Sequence, residues 1–564
     1  MSLSFLATAA FATTANAASA QHLKLPSITY LAILPELLTL GGALVMLGSS
    51  ALLRKRMEAT TAASLTILTG SASLIAGVGQ WINTTAHGAH VTIDSSVIQD
   101  GFSAFITILV SCAVIVTAFI GQGWLVREKS DGPEMHALML VSAMGAMLMG
   151  EANDLILVFL GLEIMSIALY VLAAGNARRE ESGEAALKYF VLGSFSSAVF
   201  LYGMALVYGA TGSTNLAQIA DFLSKNILLH NGLLLAGIAL LLVGFAFKIA
   251  AVPFHLWTPD VYQGSPSPVT GFMAAVAKTG GFAALLRVFV SSFPTVRADW
   301  QPIIWVLAVI TLLFGAVVGV VQRDVKRMLA YSSINHAGFI LLGLYLATQR
   351  GVSGSLYYLF TYSFMVMGSF GVVTVVAGLG DANHDLDSWR GLAFRQPWLA
   401  VPMIIFLLAQ AGMPATTGLW AKIYVIEGAT GTPGGIALSI IAMVSAVIAG
   451  FFYLRLVLYM VQNPNAAQGD IGDVVDVDVA DEGPAGLGNR GSGGAVVVGS
   501  PVLAAADVGG ATVLTTIRTQ AAAALPIPLS IATGIFLCAL VTVLFGVWPS
   551  PIINFAHGAT LLFH

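Results

Sequence analysis

Charge is scarce in this chain: of 564 residues only 9% are Asp, Glu, Lys or Arg, while 57% are hydrophobic. A water-soluble surface needs roughly a quarter of its residues charged, so a soluble multidomain protein is excluded. Cysteine is nearly absent. Cys112 and Cys538 lie in separate apolar runs, so neither a disulfide framework nor a Cys-ligated metal or iron–sulfur centre can be built from them. No basic patch is interleaved with aromatics, which sets nucleic acid aside. A GxxxxGK(S/T) phosphate loop is missing as well, and a net charge of −4 singles out no partner. No Lys or Arg precedes Lys24, so the Ala/Ser/Thr-rich N-terminal extension, residues 1–27, lacks the basic start of a signal peptide. Cleavage-type AxA patterns nevertheless occur at 15–17 and 18–20.

What is present is a succession of apolar runs about as long as a bilayer is thick. Fourteen candidate spans fall near 28–50, 61–82, 101–125, 135–150, 154–174, 188–210, 231–253, 266–292, 302–321, 328–347, 355–379, 398–427, 435–461 and 527–550. They predict an all-α polytopic membrane protein of about fourteen transmembrane helices. From 463 to 524 the chain turns acidic and glycine-rich, the composition of a flexible loop.

Lys and Arg in short loops concentrate on the cytoplasmic side. One set of alternate loops carries Arg54, Lys55, Arg56, Arg127, Lys129, Arg178, Arg179, Arg323, Lys326, Arg327, Arg390 and Arg395; the other set carries only Lys24, Lys225, Arg297 and Arg350. This imbalance predicts both termini on the outer side and places the 463–524 loop in the cytoplasm.

Six basic residues fall inside or at the edges of spans: Lys188, Lys248, Lys278, Arg287, Lys422 and Arg455. An ionised lysine at mid-bilayer costs on the order of 3 kcal/mol, so each needs a partner, a wet cavity or loss of its proton. Hydrocarbon disfavours the ammonium form and a nearby carboxylate favours it, so a change in their separation would load or release a proton. Glu163, deep in the fifth span, is the candidate carboxylate, with Lys248 its partner and Lys278 next along a relay. An inert buried ion pair is the alternative. For Glu36, near the start of the first span, anchoring and function fit alike. Lys188, Arg287 and Arg455 can reach a membrane face with their head groups, which favours structural roles.

Lys248 is followed by AAVPFHLW and Lys422 is preceded by AGMPATTGLW, so each lies beside a proline in its own span. Breaks within a membrane are tolerated where protein or water satisfies the freed backbone, and they mark ion sites in transporters; a plain kink is the alternative. The two broken spans, seventh and twelfth, are five apart, which predicts two inverted five-helix repeats, spans 4–8 and 9–13. The resulting organisation is helices 1–3 over 28–130, a first repeat over 131–292, a second over 293–462, the loop, and helix 14 with the C-terminus over 525–564. His336, in YSSINHAGF between the halves, can pass a proton between Lys278 and Lys422, or pack the bundle as a satisfied polar group.

Four stretches, EAALKYFVLGSFSSAVFLYG (184–203), FKIAAVPFHLWTPDVYQGSPSPVTGFMAAVAKTGGFAAL (247–285), QRDVKRMLAYSSINHAGF (322–339) and GMPATTGLWAKIYV (412–425), resemble the antiporter-like subunits of respiratory complex I, the proton-pumping NADH:quinone oxidoreductase. DVYQGSP and Lys422 point to the N branch of that family rather than L or M. The resemblance spans roughly 28–462 and 525–553, and its second stretch is highly specific. It implies Glu163 and Lys248 as a coupled pair, Lys278 as central carrier, His336 as relay and Lys422 as terminal site. It also implies that the chain carries no cofactor, with NADH, FMN, iron–sulfur clusters and quinone on partner subunits. Neighbours M, K and J in a bacterial plasma membrane follow from it too. An Mrp-type cation/proton antiporter subunit is the competing reading, although a sodium site would be expected to add carboxylates or hydroxyl-rich breaks, and the twelfth span offers Lys422 instead. A scaffold with vestigial polar residues is the other. The N-terminal extension and the 463–524 loop depart from the family pattern.

Overall fold

The computed structural model describes residues 29–52, 57–130, 132–176, 178–226, 231–463 and 527–561. The N-terminal extension with Lys24, the basic residues 54–56, and all of the 463–524 segment but Asn463, with Arg490 and Arg518, lie outside them.

Hydrocarbon offers backbone groups no partner, so an apolar chain must satisfy them within each segment, and the α-helix does this. The elements run α1 (Leu34–Leu52), α2 (Ala59–His87), a short antiparallel hairpin of β1 (His90–Thr92) and β2 (Val97–Gln99), α3 (Gly101–Glu128), α4 (Glu134–Glu151), α5 (Leu155–Ala173), α6 (Glu180–Thr211) and α7 (Leu216–Lys225). Then follow α8 (Gly232–Lys248), α9 (Trp257–Gly264), α10 (Ser267–Ser292), α11 (Arg297–Val321), α12 (Val325–Leu346), α13 (Gln349–Val376), α14 (Pro397–Ala411), α15 (Thr417–Ala429), α16 (Pro433–Val461), α17 (Leu529–Val547) and α18 (Ser550–Gly558).

Helix occupies each of the fourteen apolar stretches. Among the described residues, eleven helices are by themselves long and apolar enough to cross a membrane, or twelve if the pair 386–395 and 397–411, bent by 119°, counts as one. The other stretches fall short for physical reasons. α4 carries Glu134 and Glu151 at its ends, while α8 and α14 stop at breaks after 17 and 15 residues. α10 and α13 are buried throughout their apolar windows, whereas only 28% of the α1 window is buried. The bundle is therefore built around α10, α12 and α13, with α1, α2, α6 and α17 presenting leucine, isoleucine and phenylalanine outward.

Both expected breaks are present. α8 ends at Lys248, the chain turns through Ala250 at φ +61° and Pro253, and helix resumes at Trp257. The freed Val252 N–H donates to Thr311 Oγ1 of α11 at 3.0 Å, and Trp257 Nε1 spans the gap to Phe247 O at 2.9 Å. The second break lies between α14 and α15, where Gly412 adopts φ +94° and Ala415 φ +63°. The positive φ favours glycine at 412, and a Cβ at Gly412 would in addition stand 3.1 Å from Lys422 Cδ and push on that side chain. In α10 a widened π-turn over Met273–Ala277 immediately precedes Lys278.

At one end of the bundle the hairpin is stitched to the helix starts. Asn153 and Asn215 both donate to Ser95 O, and Val97 bridges Ala152. At the opposite end Lys326 and Asp381 pair at 2.9 Å, Arg179 donates to Asp381 O, and Asp381 also accepts from Ser267. Burial works against the Asp381 carboxylate, yet Lys326 and its hydrogen bonds hold it below the ordinary carboxylate range. His384 beside it is pushed down to about 4, first by burial and then by the Lys326 cation.

Candidate functional site

Lys248 is the last residue of α8, so the break that follows leaves its long side chain free to run sideways into the bundle. It is 4% exposed; its Nζ donates to Ser166 Oγ of α5 at 2.8 Å and to Tyr189 Oη of α6 at 3.4 Å. Tyr189 is held by Trp257, stacked on it at 4.5 Å from the far side of the break. A small cavity lined by Ser166, Tyr170, Ser196 and Ser197 opens against the ammonium. Glu163, one turn before Ser166, is half-buried and acts electrostatically on Lys248 without bonding to it, and its Oε1 has no hydrogen-bond partner among the described residues. The two are thus neighbours within electrostatic reach, not a direct ion pair.

Lys278 follows the widened turn of α10 and donates from Nζ to Ser333 O at 2.5 Å and to Ser333 Oγ at 2.6 Å, over the face of Tyr362 at 5.2 Å. Between the two lysines the contact is packing: a Cβ at Gly281, one turn along α10, would stand 3.3 Å from Lys248 Cγ.

α12 joins Lys278 to the second break. Ser333 holds Lys278. Its neighbour Ser332 donates to Gln410 Oε1 at 2.9 Å and lies 2.5 Å from Tyr453 Oη. His336, one turn on, lies 3.2 Å from Tyr453 Oη through Nε2 and 2.7 Å from Tyr358 Oη through Nδ1, and both Lys278 and Lys422 act on it electrostatically. Lys422 Nζ donates to Gln410 O at 2.9 Å and Ala411 O at 2.8 Å, the last carbonyls of α14, over the ring of Phe339 at 5.2 Å. The negative end of a half-helix, whose carbonyls the break has freed, thereby holds an ammonium to which no carboxylate is bonded among the described residues. Lys278 with Ser333 forms one polar cluster and Ser332, Gln410, Tyr453, His336 and Tyr358 a second; the two meet at adjacent positions of α12, and Lys422 joins the second through the Gln410 backbone carbonyl.

The remaining charged residues part from the sequence reading in two places. Arg287 does not reach a membrane face: it is fully buried, bonded to Asp100 through Nη1 at 2.8 Å and Nη2 at 2.9 Å, with Nε donating to Gly150 O at 2.8 Å. Asp100 caps α3, accepting from Ser103 N at 2.8 Å, so a planar carboxylate stands at the right depth to receive the guanidinium fork. Lys326, counted with the loops, is buried inside α12. Lys188 is half-exposed and bonded to Glu184 and Asp260, while Arg455 donates to Val320 O and Gln322 O at the end of α11.

Sequence reasoning missed Glu151. It is 2% exposed, beside Arg287 and within electrostatic reach of Glu36, itself 3% exposed with both oxygens lacking a protein partner among the described residues. An acid at the end of a span resembles a loop residue in sequence, and it is tertiary packing of α4 against α1, α3 and α10 that encloses it.

Residues 152–449 match the family model described as NADH:quinone oxidoreductase/Mrp antiporter, transmembrane. The chain is 43% identical over 400 residues to NADH-quinone oxidoreductase subunit N of Trichlorobacter lovleyi, covering 71% of this chain and 82% of that one. It is 37% identical over 500 residues to subunit N 3 of Streptomyces griseus, covering 80% and 89%. Its fold is similar to a chain of respiratory complex I from Thermus thermophilus with bound aureothin, at TM-score 0.69 and 27% identity over 92% of this chain and 98% of that one. It is also similar in fold to a chain of the Mrp complex from Dietzia sp. DQ12-45-1b, at TM-score 0.74 and 19% identity over 94% and 96%.

Proposed function

Since the chain belongs to the NADH:quinone oxidoreductase/Mrp antiporter membrane family, and within it to the N subunits of NADH-quinone oxidoreductase, we propose that it carries protons by way of Glu163, Lys248, Lys278, His336 and Lys422. The chain is a proton-translocating membrane subunit of an oxidoreductase complex in a bacterial plasma membrane. On this reading the chain is itself a translocase without redox chemistry. NADH, FMN, iron–sulfur clusters and quinone belong to partner subunits, M, K and J flank it in the membrane, and both termini face outward.

The observation that carries the reading is the pair of adjoining polar clusters on α12, Lys278 with Ser333 and Ser332 with Gln410, Tyr453 and His336, next to Lys422 on the Gln410 carbonyl; Lys248, Lys278 and Lys422 are all deeply buried, and among the described residues no carboxylate is bonded to any of them. Such cations are costly in a bilayer, and amines that gain and lose protons with small shifts of position suit transport. At Lys248 the nearby Glu163 favours the charged form. A shift of α5 relative to the α8–α9 break would alter that balance and pass a proton toward Lys278.

Replacing Lys248 by Ala in the assembled complex is expected to depress NADH-driven proton uptake by membrane vesicles together with quinone-coupled NADH oxidation. NADH oxidation by a soluble acceptor should stay near its original rate. Unchanged proton uptake in assembled Lys248→Ala complex would reduce the buried lysines to packing.

A further inference from the structure

The donors and acceptors around His336 can be counted one by one. Ser369 has one hydroxyl hydrogen and spends it on Met365 O at 2.9 Å. Its oxygen is therefore an acceptor, and the group facing it at 2.9 Å must be the Gln410 amide nitrogen. This points Gln410 Oε1 at Ser332, which donates to it at 2.9 Å and so has only an acceptor left for Tyr453 at 2.5 Å. Tyr453 in turn spends its hydrogen on Ser332, leaving its oxygen to accept from His336 Nε2 at 3.2 Å. Nδ1 is then the free lone pair, and it accepts from Tyr358 at 2.7 Å.

We propose that Gln410 is a positioning residue that locks His336 in its Nε2–H tautomer, so that in this arrangement of the amide His336 takes a proton only at Nδ1. The inference rests on His336 serving in the relay. Ser369, Gln410, Ser332, Tyr453 and His336 are all buried, and the titratable groups facing His336 are Tyr358 and Tyr362 of α13 and Tyr453 of α16, with Lys278 of α10 and Lys422 of α15 the cations acting on it.

A proton added at Nδ1 makes an imidazolium and obliges Tyr358 to turn and accept. Passing the Nε2 proton onward would require Tyr453 to give its hydrogen to Ser332 and Ser332 its own to Gln410 Oε1, an amide oxygen too weakly basic to keep it. The wire thus ends blind in this state. With the amide reversed, Ser369 donates to Oε1, Nε2 of Gln410 donates to Ser332, Ser332 to Tyr453 and Tyr453 to His336 Nε2, and the opposite tautomer results. Because the Gln410 backbone carbonyl also holds Lys422, the amide and the terminal ammonium share one residue.

The test is infrared difference spectroscopy of the assembled, membrane-embedded complex on addition of NADH, with ring-15N histidine. The His336 tautomer band is identified by its loss in His336→Gln, and NADH-driven proton uptake is measured in parallel. Gln410→Leu removes the acceptor for Ser332 and is expected to shift that band and slow proton uptake roughly twofold to tenfold, what one hydrogen bond of tautomer preference is worth. Gln410→Glu keeps the acceptor, so the band should stay in place. A His336 band unmoved in Gln410→Leu, or moved equally in Gln410→Glu, overturns the lock while leaving the relay standing. Unaltered proton uptake in His336→Gln would instead remove His336 from the relay, and the lock with it.

Discussion

Removing either half of the Arg287–Asp100 pair strands an ion in oil. The guanidinium is fully enclosed, spends Nη1 and Nη2 on Asp100 and Nε on Gly150 O, and lies 4.8 Å over the ring of Phe102. Loss of one partner from a buried pair costs about 3–5 kcal/mol, whereas an apolar replacement of both is often close to neutral. Arg287→Leu should therefore lower the melting temperature of the purified complex or its yield in the membrane, and Arg287→Leu with Asp100→Leu should recover part of the loss. A double variant no more stable than the single one would mean that Asp100 matters only as the cap of α3. Glu151 stands beside this pair, so the arginine sits between two carboxyl groups, and Glu36 lies within reach of the second of them.

At the scale of elements, the sequence announced its helices and its breaks through different signals. Apolar runs of bilayer length located the helices, because in hydrocarbon there is almost no other way to place a backbone. Pro253 and Pro414 beside lysines located the breaks. What no periodicity could supply is who satisfies the backbone a break releases, since those partners come from distant helices: Thr311 of α11 for Val252 N–H, and the Lys422 ammonium for the carbonyls of α14. For the same reason Ser332, Gln410 and Tyr453 went unnoticed, being polar residues of ordinary kind in three separate spans. Leaving a buried donor unmet costs about 1–3 kcal/mol. Thr311→Val should accordingly destabilise the α8–α9 break by about that much and raise amide exchange near Val252, while Thr311→Ser, which keeps the hydroxyl, should not. Equal exchange in both variants would detach Thr311 from the break.

The whole molecule is tied at the end opposite the hairpin by Lys326, Asp381, Arg179 and His384, which join α6, α10, α12 and the segment after α13. Arg179 Nη1 donates to His384 Nε2, so the imidazole is held neutral. A histidine depressed to about 4 in the folded chain and near 6.5 unfolded contributes stability that is complete above 6.5 and drains away as the pH falls toward 4. Thermal unfolding of the complex should therefore shift to lower temperature between pH 6.5 and 5, and His384→Gln, which cannot be charged, should flatten that dependence. An identical slope in the variant would assign the acid sensitivity elsewhere.

Ser332 and Ser333 stand on adjacent positions of one buried rod, the first gripping the amide above Lys422 and the second gripping Lys278. If that rod slid along its own length by one turn, about 5.4 Å, both handholds would let go together. The two amines are in that sense ganged on a common shaft, and neither can be disturbed through α12 without the other being told.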